Sequence, residues 1–369
     1  MKRPCTMQLR TEISLKKNNM RYLSLLFGCL VSVFLLQTAS AQDPHFAQFY
    51  TAPMYYNPAL TGVHEGHFRV TTNYREQWGV VLADNPYRTF ALGFDNKERV
   101  GKGDYLAYGF TMMRDEAGDA RLQRVNALLS LNYMKQLSGN RYRRSDQYLA
   151  AGFQVGFGQQ SVDYSNLWFS TQFNVGEIAI DPMLPTGENL LFRNKSYLDF
   201  NAGLLYYALF GDRKSLYLGG SLSHLNRPNI SILGVQADYL PMRWLGQAGA
   251  ELPLGKSLSM LPAVLVMGQG PSFTTIFGAN FRYTNRDWRE IAIRAGLWGQ
   301  VSNFLDSNVS FPSMIAAAIL EIDRLQIGIS YDVNMGAVSE PTNSRGGVEL
   351  SFIYVHPAAK RIRVNCPRF

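Results

Sequence analysis

The sequence predicts an all-β protein: a transmembrane antiparallel β-barrel of about 14 strands with an N-terminal plug segment. Three observations carry this. Apolar and polar residues alternate with period two along segments of ten or more residues, longer than the five or six of ordinary sandwich strands. The polar face carries Gly, Asn, Gln, Asp and Arg, while the apolar face ends in Tyr and Phe, as interfacial girdles do. Connections alternate between turn-like and long, as in outer-membrane barrels with short periplasmic turns.

In chain order, the first element is a leader. Lys16, Lys17 and Arg21 precede an apolar run from Tyr22 to Leu36, and Ala39-Ser40-Ala41 precedes Gln42. A charged region, a short apolar run and an A-x-A site make residues 1–41 a signal peptide, cut after Ala41. Residues ahead of Met20 read as the product of an upstream start codon. Leu26-Phe27-Gly28-Cys29 resembles a lipoprotein box, but the apolar run continues past Cys29, where such a box would end it. The leader carries six Lys/Arg and one Glu, so its removal lowers the formal charge from +8 to +3. The basic balance therefore gives no argument for nucleic acid. Cys5 and Cys29 leave with the leader, and Cys366 alone cannot form an internal disulfide.

Residues 42–66 are the expected plug. Gln42–Gly62, QDPHFAQFYTAPMYYNPALTG, is aromatic and fits neither a helical nor a strand period. Asn57, Pro58, Ala59 and Gly62 form its motif: a capping Asn, Pro at the first helical position and Gly at the end define one helical turn. Aromatic residues are costly on a free tail, and a lumen of this size has room for them. The segment should begin on the periplasmic side, since it leads into the first strand; the plainer alternative is an unstructured leader to the barrel.

Residues 67–355 are the expected barrel, with strands at 67–76, 86–96, 104–113, 121–136, 146–160, 197–210, 215–224, 240–253, 258–269, 272–284, 289–299, 312–321, 324–334 and 346–355. In LQIGISYDVN, Leu325, Ile327, Ile329, Tyr331 and Val333 face one way, and Gln326, Gly328, Ser330, Asp332 and Asn334 the other. The long connections are 161–196, 225–239, 300–311 and 335–345, all of one parity; the short exception on that side is at Pro271. Gln154, Asp199, Asn201, Arg282, Arg294, Asp332 and Glu349 should face the lumen and form polar networks there. Residues 356–369 are a basic tail, expected at the periplasmic mouth.

Chemical motifs are few. Leu254–Ser257 echoes a phosphate loop, but Ala250 stands where its first glycine should be, so a hairpin turn is expected. His64 and His67 lie on a Gly-containing turn without a third metal ligand nearby. Ser223 and His224 are adjacent, so on a strand their side chains should point to opposite faces, which excludes a nucleophile–base pair. No catalytic residue, metal or cofactor is expected.

The plug block, SHLNRPNIS at Ser223–Ser231, YDVN at Tyr331–Asn334, GGVELSFIY at Gly346–Tyr354 and the terminal Cys366, Pro367, Arg368 and Phe369 together resemble the PorP/SprF family. Those are outer-membrane proteins of the type IX secretion and gliding machinery. The resemblance spans the mature chain and marks Asn226, Arg227, Pro228 and Asn229 as an outer-loop motif. It implies a non-enzymatic part in export or surface attachment of large secreted proteins. The implied partners are outer-membrane lipids, type IX secretion subunits and lipoproteins, and large adhesins or their C-terminal domains. A second similarity, to long-chain fatty-acid channels, covers only the strand count and the Asn57-Pro58-Ala59 hatch; it implies a plugged channel for hydrophobic solutes.

Overall fold

In a computed structural model of the chain, the described residues are 42–79, 81–82, 85–140, 145–163, 167–187, 194–211, 213–232, 238–285, 291–303 and 309–357. Residues 1–41, the expected signal peptide, and the tail residues Cys366, Pro367, Arg368 and Phe369 lie outside them.

Among the described residues, sixteen strands follow the lumenal segment: β1 (Phe68–Gln77), β2 (Tyr87–Val100), β3 (Asp104–Ala117), β4 (Leu122–Asn140), β5 (Ser145–Ser161), β6 (Phe173–Asn174), β7 (Ala179–Ile180), β8 (Asn194–Phe210), β9 (Ser215–Ser223), β10 (Arg243–Pro253), β11 (Leu258–Gln269), β12 (Ser272–Thr284), β13 (Ile291–Asn303), β14 (Val309–Ile322), β15 (Leu325–Asn334) and β16 (Arg345–Val355). Fourteen of them close into one antiparallel barrel; β6 and β7 form a separate two-stranded hairpin within the β5–β8 connection. Closure is made by β1 against β16, from Arg69 opposite Val355 to Gln77 opposite Gly347. No sheet edge is left in the wall, as a lipid environment demands.

Period-two alternation in the sequence becomes the two faces of the wall. On β15, Ile327, Ile329, Tyr331 and Val333 are exposed, whereas Gly328, Ser330, Asp332 and Asn334 are buried in the lumen. On β8, Leu198 and Leu204 point out, while Asp199, Asn201 and Gly203 point in. This inverts a soluble protein: the exposed band is Leu, Ile, Phe, Tyr and Trp, and the buried positions are largely polar.

All fourteen expected strands are present. Several run further than their apolar pattern: β3 continues through Asp115 and Glu116, β4 to Asn140, and β14 begins at Val309. There the backbone ladder continues beyond the stretch whose side chains alternate. The β6–β7 hairpin was not anticipated, because two-residue strands carry no period. One end of the barrel has short turns, from Asp323–Arg324 up to 285–290; the other carries the connections 162–193, 224–242 and 335–344. On this long-loop end both 270–271 and 118–121 are short, so Pro271 is not the sole exception. Leu254–Ser257 is a hairpin turn between β10 and β11.

Candidate functional site

The interior of the barrel is occupied by residues 42–66. The segment enters at the long-loop end and leaves at the short-turn end, where it becomes β1. This corrects the expectation that it begins on the periplasmic side. Asp43 meets Arg124 near the start of β4, Gln269 at the end of β11 and Arg243 at the start of β10. At the other end the His67 N–H donates to the His356 carbonyl, 2.8 Å away. A segment preceding a strand can thus thread the lumen before turning back into the wall.

Its local form follows its sequence. Phe49–Thr51 and Pro58–Leu60 are single 3-10 turns, and Pro53–Tyr56 is one helical turn with Pro at its start. Asn57 caps Pro58–Leu60: its Oδ1 accepts from the Ala59 N–H at 2.9 Å. Gly62, at φ 76°, provides the left-handed residue that ends the motif.

The wall is shaped to this path. A Cβ at Gly152 would lie 2.3 Å from the Pro58 carbonyl carbon and 2.4 Å from the Ala59 nitrogen; one at Gly203 would lie 2.0 Å from Asn57 Oδ1. Inward glycines therefore make room for backbone. Aromatics fill the remainder, with Phe49 edge-on to Trp298 at 5.4 Å and Tyr50 beside it at 5.3 Å. Phe46, Phe49, Tyr50 and Tyr56 share one apolar cluster with Leu265, Ile276, Ile315 and Ile319 of the wall.

Lumenal polar residues satisfy the segment's backbone, which would be costly to bury unpaired. Glu349 accepts the N–H groups of Ala47 and Gln48 at 2.6 and 3.0 Å. Gln154 donates to the Met54 carbonyl at 3.0 Å, and Ser221 to that of Tyr56 at 2.6 Å. Asn57 donates to the wall carbonyls of Leu204 and Gly220 at 3.2 and 3.3 Å. Asn132 donates to the carbonyls of Ala59 and Thr61, at 2.9 and 2.7 Å. Asp95, in a two-point ion pair with Arg69, accepts the Gly62 N–H at 2.6 Å. Each stretch of the segment is held by a different part of the wall.

All seven expected lumenal residues face inward, but they do not form one group. Gln154 and Glu349 bond the segment directly, whereas Asn201 donates to Gln154 at 3.3 Å and Asp199 meets His224 at 2.9 Å. Asp332 accepts from Arg75 at 2.6 Å, and Arg75 reaches Glu349 at 3.6 Å. Arg282 and Arg294 instead share Glu321, in a separate wall cluster. Gly328 faces the lumen as expected, yet a Cβ there would meet Ser351 Oγ at 2.3 Å and Gln48 Oε1 at 2.6 Å. Those two atoms are hydrogen-bonded to each other, so a small polar side chain at this inward position would meet an occupied site.

The Asn226–Asn229 motif is a folded turn. Arg227 has φ 44° and its N–H donates to the His224 carbonyl; Asn226 donates to the Leu198 carbonyl at 2.7 Å. Asn229 Oδ1 accepts the N–H groups of Ser231 and Asp238. Arg227 is exposed.

This turn delivers His224 into the lumen. His224 has φ 58° and lies past the end of β9, so it and Ser223 are both buried on the lumenal side. The expected opposite-face arrangement fails because the strand has ended. A nucleophile–base pair is nevertheless not formed: His224 Nδ1 contacts Asp199 at 2.9 Å and Nε2 contacts Asp43 at 2.6 Å. Burial alone would lower the His224 pKa, but the Asp43 and Asp199 carboxylates push it up to about 9. Burial alone would raise the Asp43 carboxyl; His224, Arg243 and Arg124 hold it well below the usual carboxylate range. Among the described residues, no group of three or more His, Cys, Asp or Glu is arranged to hold a metal ion.

Sequence reading missed Asp43, Arg69, Asp95, Arg124, Asn132, His224 and Arg243 as site residues. All but Asp43 and His224 sit at inward positions of period-two strands, so the alternation that exposed Gln154 and Glu349 could also have exposed them.

Three barrels illustrate the similarity to solved structures. TodX monoaromatic hydrocarbon channel deltaS2 mutant is 11% identical, with 82% of this chain and 93% of that chain covered and a TM-score of 0.45. The Ralstonia pickettii toluene transporter TbuX is 12% identical, with 86% and 95% covered and a TM-score of 0.45. The COG4313 outer membrane channel from Pseudomonas putida F1 is 10% identical, with 85% and 99% covered and a TM-score of 0.35. No curated protein matches the sequence. A family match, by contrast, runs over residues 38–354, from just before the lumenal segment to the last barrel strand. A closed barrel with a lipid-compatible outer face, matched over nearly its whole length, makes this outer-membrane chain a member of the family of type IX secretion system membrane proteins PorP/SprF.

Proposed function

We propose that the chain is a non-enzymatic outer-membrane component of the type IX secretion and gliding machinery that assists export or surface attachment of large secreted proteins. The single observation that carries this beyond family membership is the lumen, which residues 42–66 fill and bind from one end to the other. A barrel filled by its own chain works through its two rims. The long-loop rim is then the outer one and meets exported adhesins or their C-terminal domains. The short-turn rim, with the basic tail 356–369, meets periplasmic subunits and lipoproteins. Lumenal polar residues hold the plug rather than select a solute.

Deletion of the gene from the source bacterium tests this. Loss of surface adhesins with unchanged uptake of a labelled hydrophobic solute supports export. Loss of uptake with adhesins intact supports a solute channel of the kind the Asn57-Pro58-Ala59 hatch suggests, and refutes the proposal.

A further inference from the structure

At the long-loop end of the lumen the wall converges on one carboxylate. Arg124 Nη1 on β4 lies 2.7 Å from Asp43 Oδ1; His224 Nε2 and Arg243 Nη1 lie 2.6 and 3.3 Å from Oδ2. Each oxygen has its own donors, and all four side chains are nearly buried. Neighbouring charged and titratable groups have partners of their own, including His45, whose ring meets Gln300 at 3.2 Å. Asp199 takes the far nitrogen of His224, Asp115 accepts from Thr89 at 2.7 Å, Tyr197 donates to Asn126, and Tyr55 lies beneath Arg243. Without Asp43, two guanidinium groups and the His224 Nε2 would lose the carboxylate on which they converge, with Asp199 left only on the far side of His224, an expensive arrangement. Planar, two-oxygen anions match such donors.

Asp43 is also the part of the segment best able to leave. It is the second residue of the chain expected after cleavage at Ala41, and Gln42 before it is exposed. Residues 57–62 are boxed in by wall glycines and inward amides, whereas the backbone of 42–44 is held by Gln269 on the Asp43 N–H and Tyr55 on the Pro44 carbonyl. A chain end can fray while the rest stays seated.

We propose that Arg124, His224 and Arg243 form a carboxylate-binding site at the long-loop mouth, occupied by Asp43 as an internal ligand and open to a polypeptide carboxylate from outside when the chain end frays. The ligand group is either a free C-terminal carboxylate or an acidic side chain. The site's existence does not depend on the export reading; its location gives that reading a chemical handle for recognition.

The test is fluorescence-polarisation binding of dye-labelled peptides to the detergent-solubilised mature barrel. Three peptides are used: one with a free α-carboxylate and no acidic side chain, its C-terminal amide, and an amide carrying one internal Asp. The proteins are the unaltered chain, Asp43→Asn, and a chain lacking residues 42 and 43, each confirmed as a folded barrel by heat-modifiable gel migration. Both variants should bind at least one carboxylate-bearing peptide roughly thirtyfold tighter than the unaltered chain, the scale for a buried charge pair, and should ignore the neutral amide. Adding Arg124→Gln to the shortened chain should cancel the gain. The two acidic peptides separate a terminal from a side-chain carboxylate. Equal binding by all three proteins, equal binding of the neutral amide, or a gain that survives Arg124→Gln overturns the proposal.

Discussion

Gly152→Ala is the most direct probe of the fit between wall and plug. The new Cβ would sit 2.3 Å from the Pro58 carbonyl carbon, 2.4 Å from the Ala59 nitrogen and 2.5 Å from the Pro58 oxygen. These are backbone atoms, fixed by the Asn57 cap and by Asn132 beneath the Ala59 carbonyl, so no side-chain rotation relieves them. Ordinary contact requires a shift of about 1 Å, and overpacking of this kind costs about 1–3 kcal/mol. Gly246→Ala is the matched control: Gly246 is also a strand glycine, but no atom lies within 4 Å of its added Cβ. That change should stay within about 0.5 kcal/mol of neutral. Reversible guanidinium unfolding of the barrel in vesicles reads both. A further chain lacking residues 43–60 should tolerate Gly152→Ala as well as Gly246→Ala. Equal costs at the two glycines in the full chain, or a Gly152 penalty that persists without the segment, would refute the reasoning.

Asn57→Ala removes a turn cap and two amide bonds to the wall, and should cost about 1–3 kcal/mol in the same unfolding assay. Ile329→Arg places a charge on the lipid face and should cost about 2–4 kcal/mol if near the bilayer midplane; Gly328→Ser should break the Gln48–Ser351 contact instead and raise exopeptidase access to Gln42. The clasp at Asp43 should depend on pH in a defined direction. His224, raised from 6.5 to about 9, contributes fully below pH 6.5, and its contribution is lost as pH rises through about 9. Asp43, depressed below 3.8, contributes above that value and fails only in stronger acid. Exopeptidase trimming at Gln42 should therefore be flat from pH 5 to 6.5 and rise from there through about pH 9, and His224→Gln should remove the rise. A cysteine at Val175 should label on intact cells with an impermeant reagent and one at Arg213 should not; the reverse would invert the assigned orientation.

The wall was legible in the sequence because a barrel strand writes its two environments alternately. Ile327 and Ile329 against Gly328 and Ser330 leave no ambiguity about face, and turns such as Leu254–Ser257 mark where the chain reverses. The plug's presence was legible too: aromatic residues with three prolines, running into Asn57-Pro58-Ala59, fit no strand and need cover. Its direction was not. Nothing in Gln42–Gly62 records that the chain enters the lumen from the end opposite β1, since that is decided by which wall residues meet Asp43, Glu349 and Asp95 across separations of tens to hundreds of residues. His224 was misplaced for a local reason: period-two reasoning was carried one residue past the strand, into a left-handed conformation that turned the ring inward. The hairpin β6–β7 is too short to have a period at all.

The central claim is that this filled barrel serves the secretion machinery at its rims. Affinity purification of the tagged chain from detergent-solubilised outer membranes, followed by mass spectrometry of what accompanies it, tests that most directly. Secretion-system lipoproteins or the end domain of a large exported adhesin should co-purify, and deletion of 356–369 should weaken the lipoprotein fraction while the barrel still assembles. A barrel that purifies alone, from cells whose uptake of a labelled hydrophobic solute depends on it, would contradict the account.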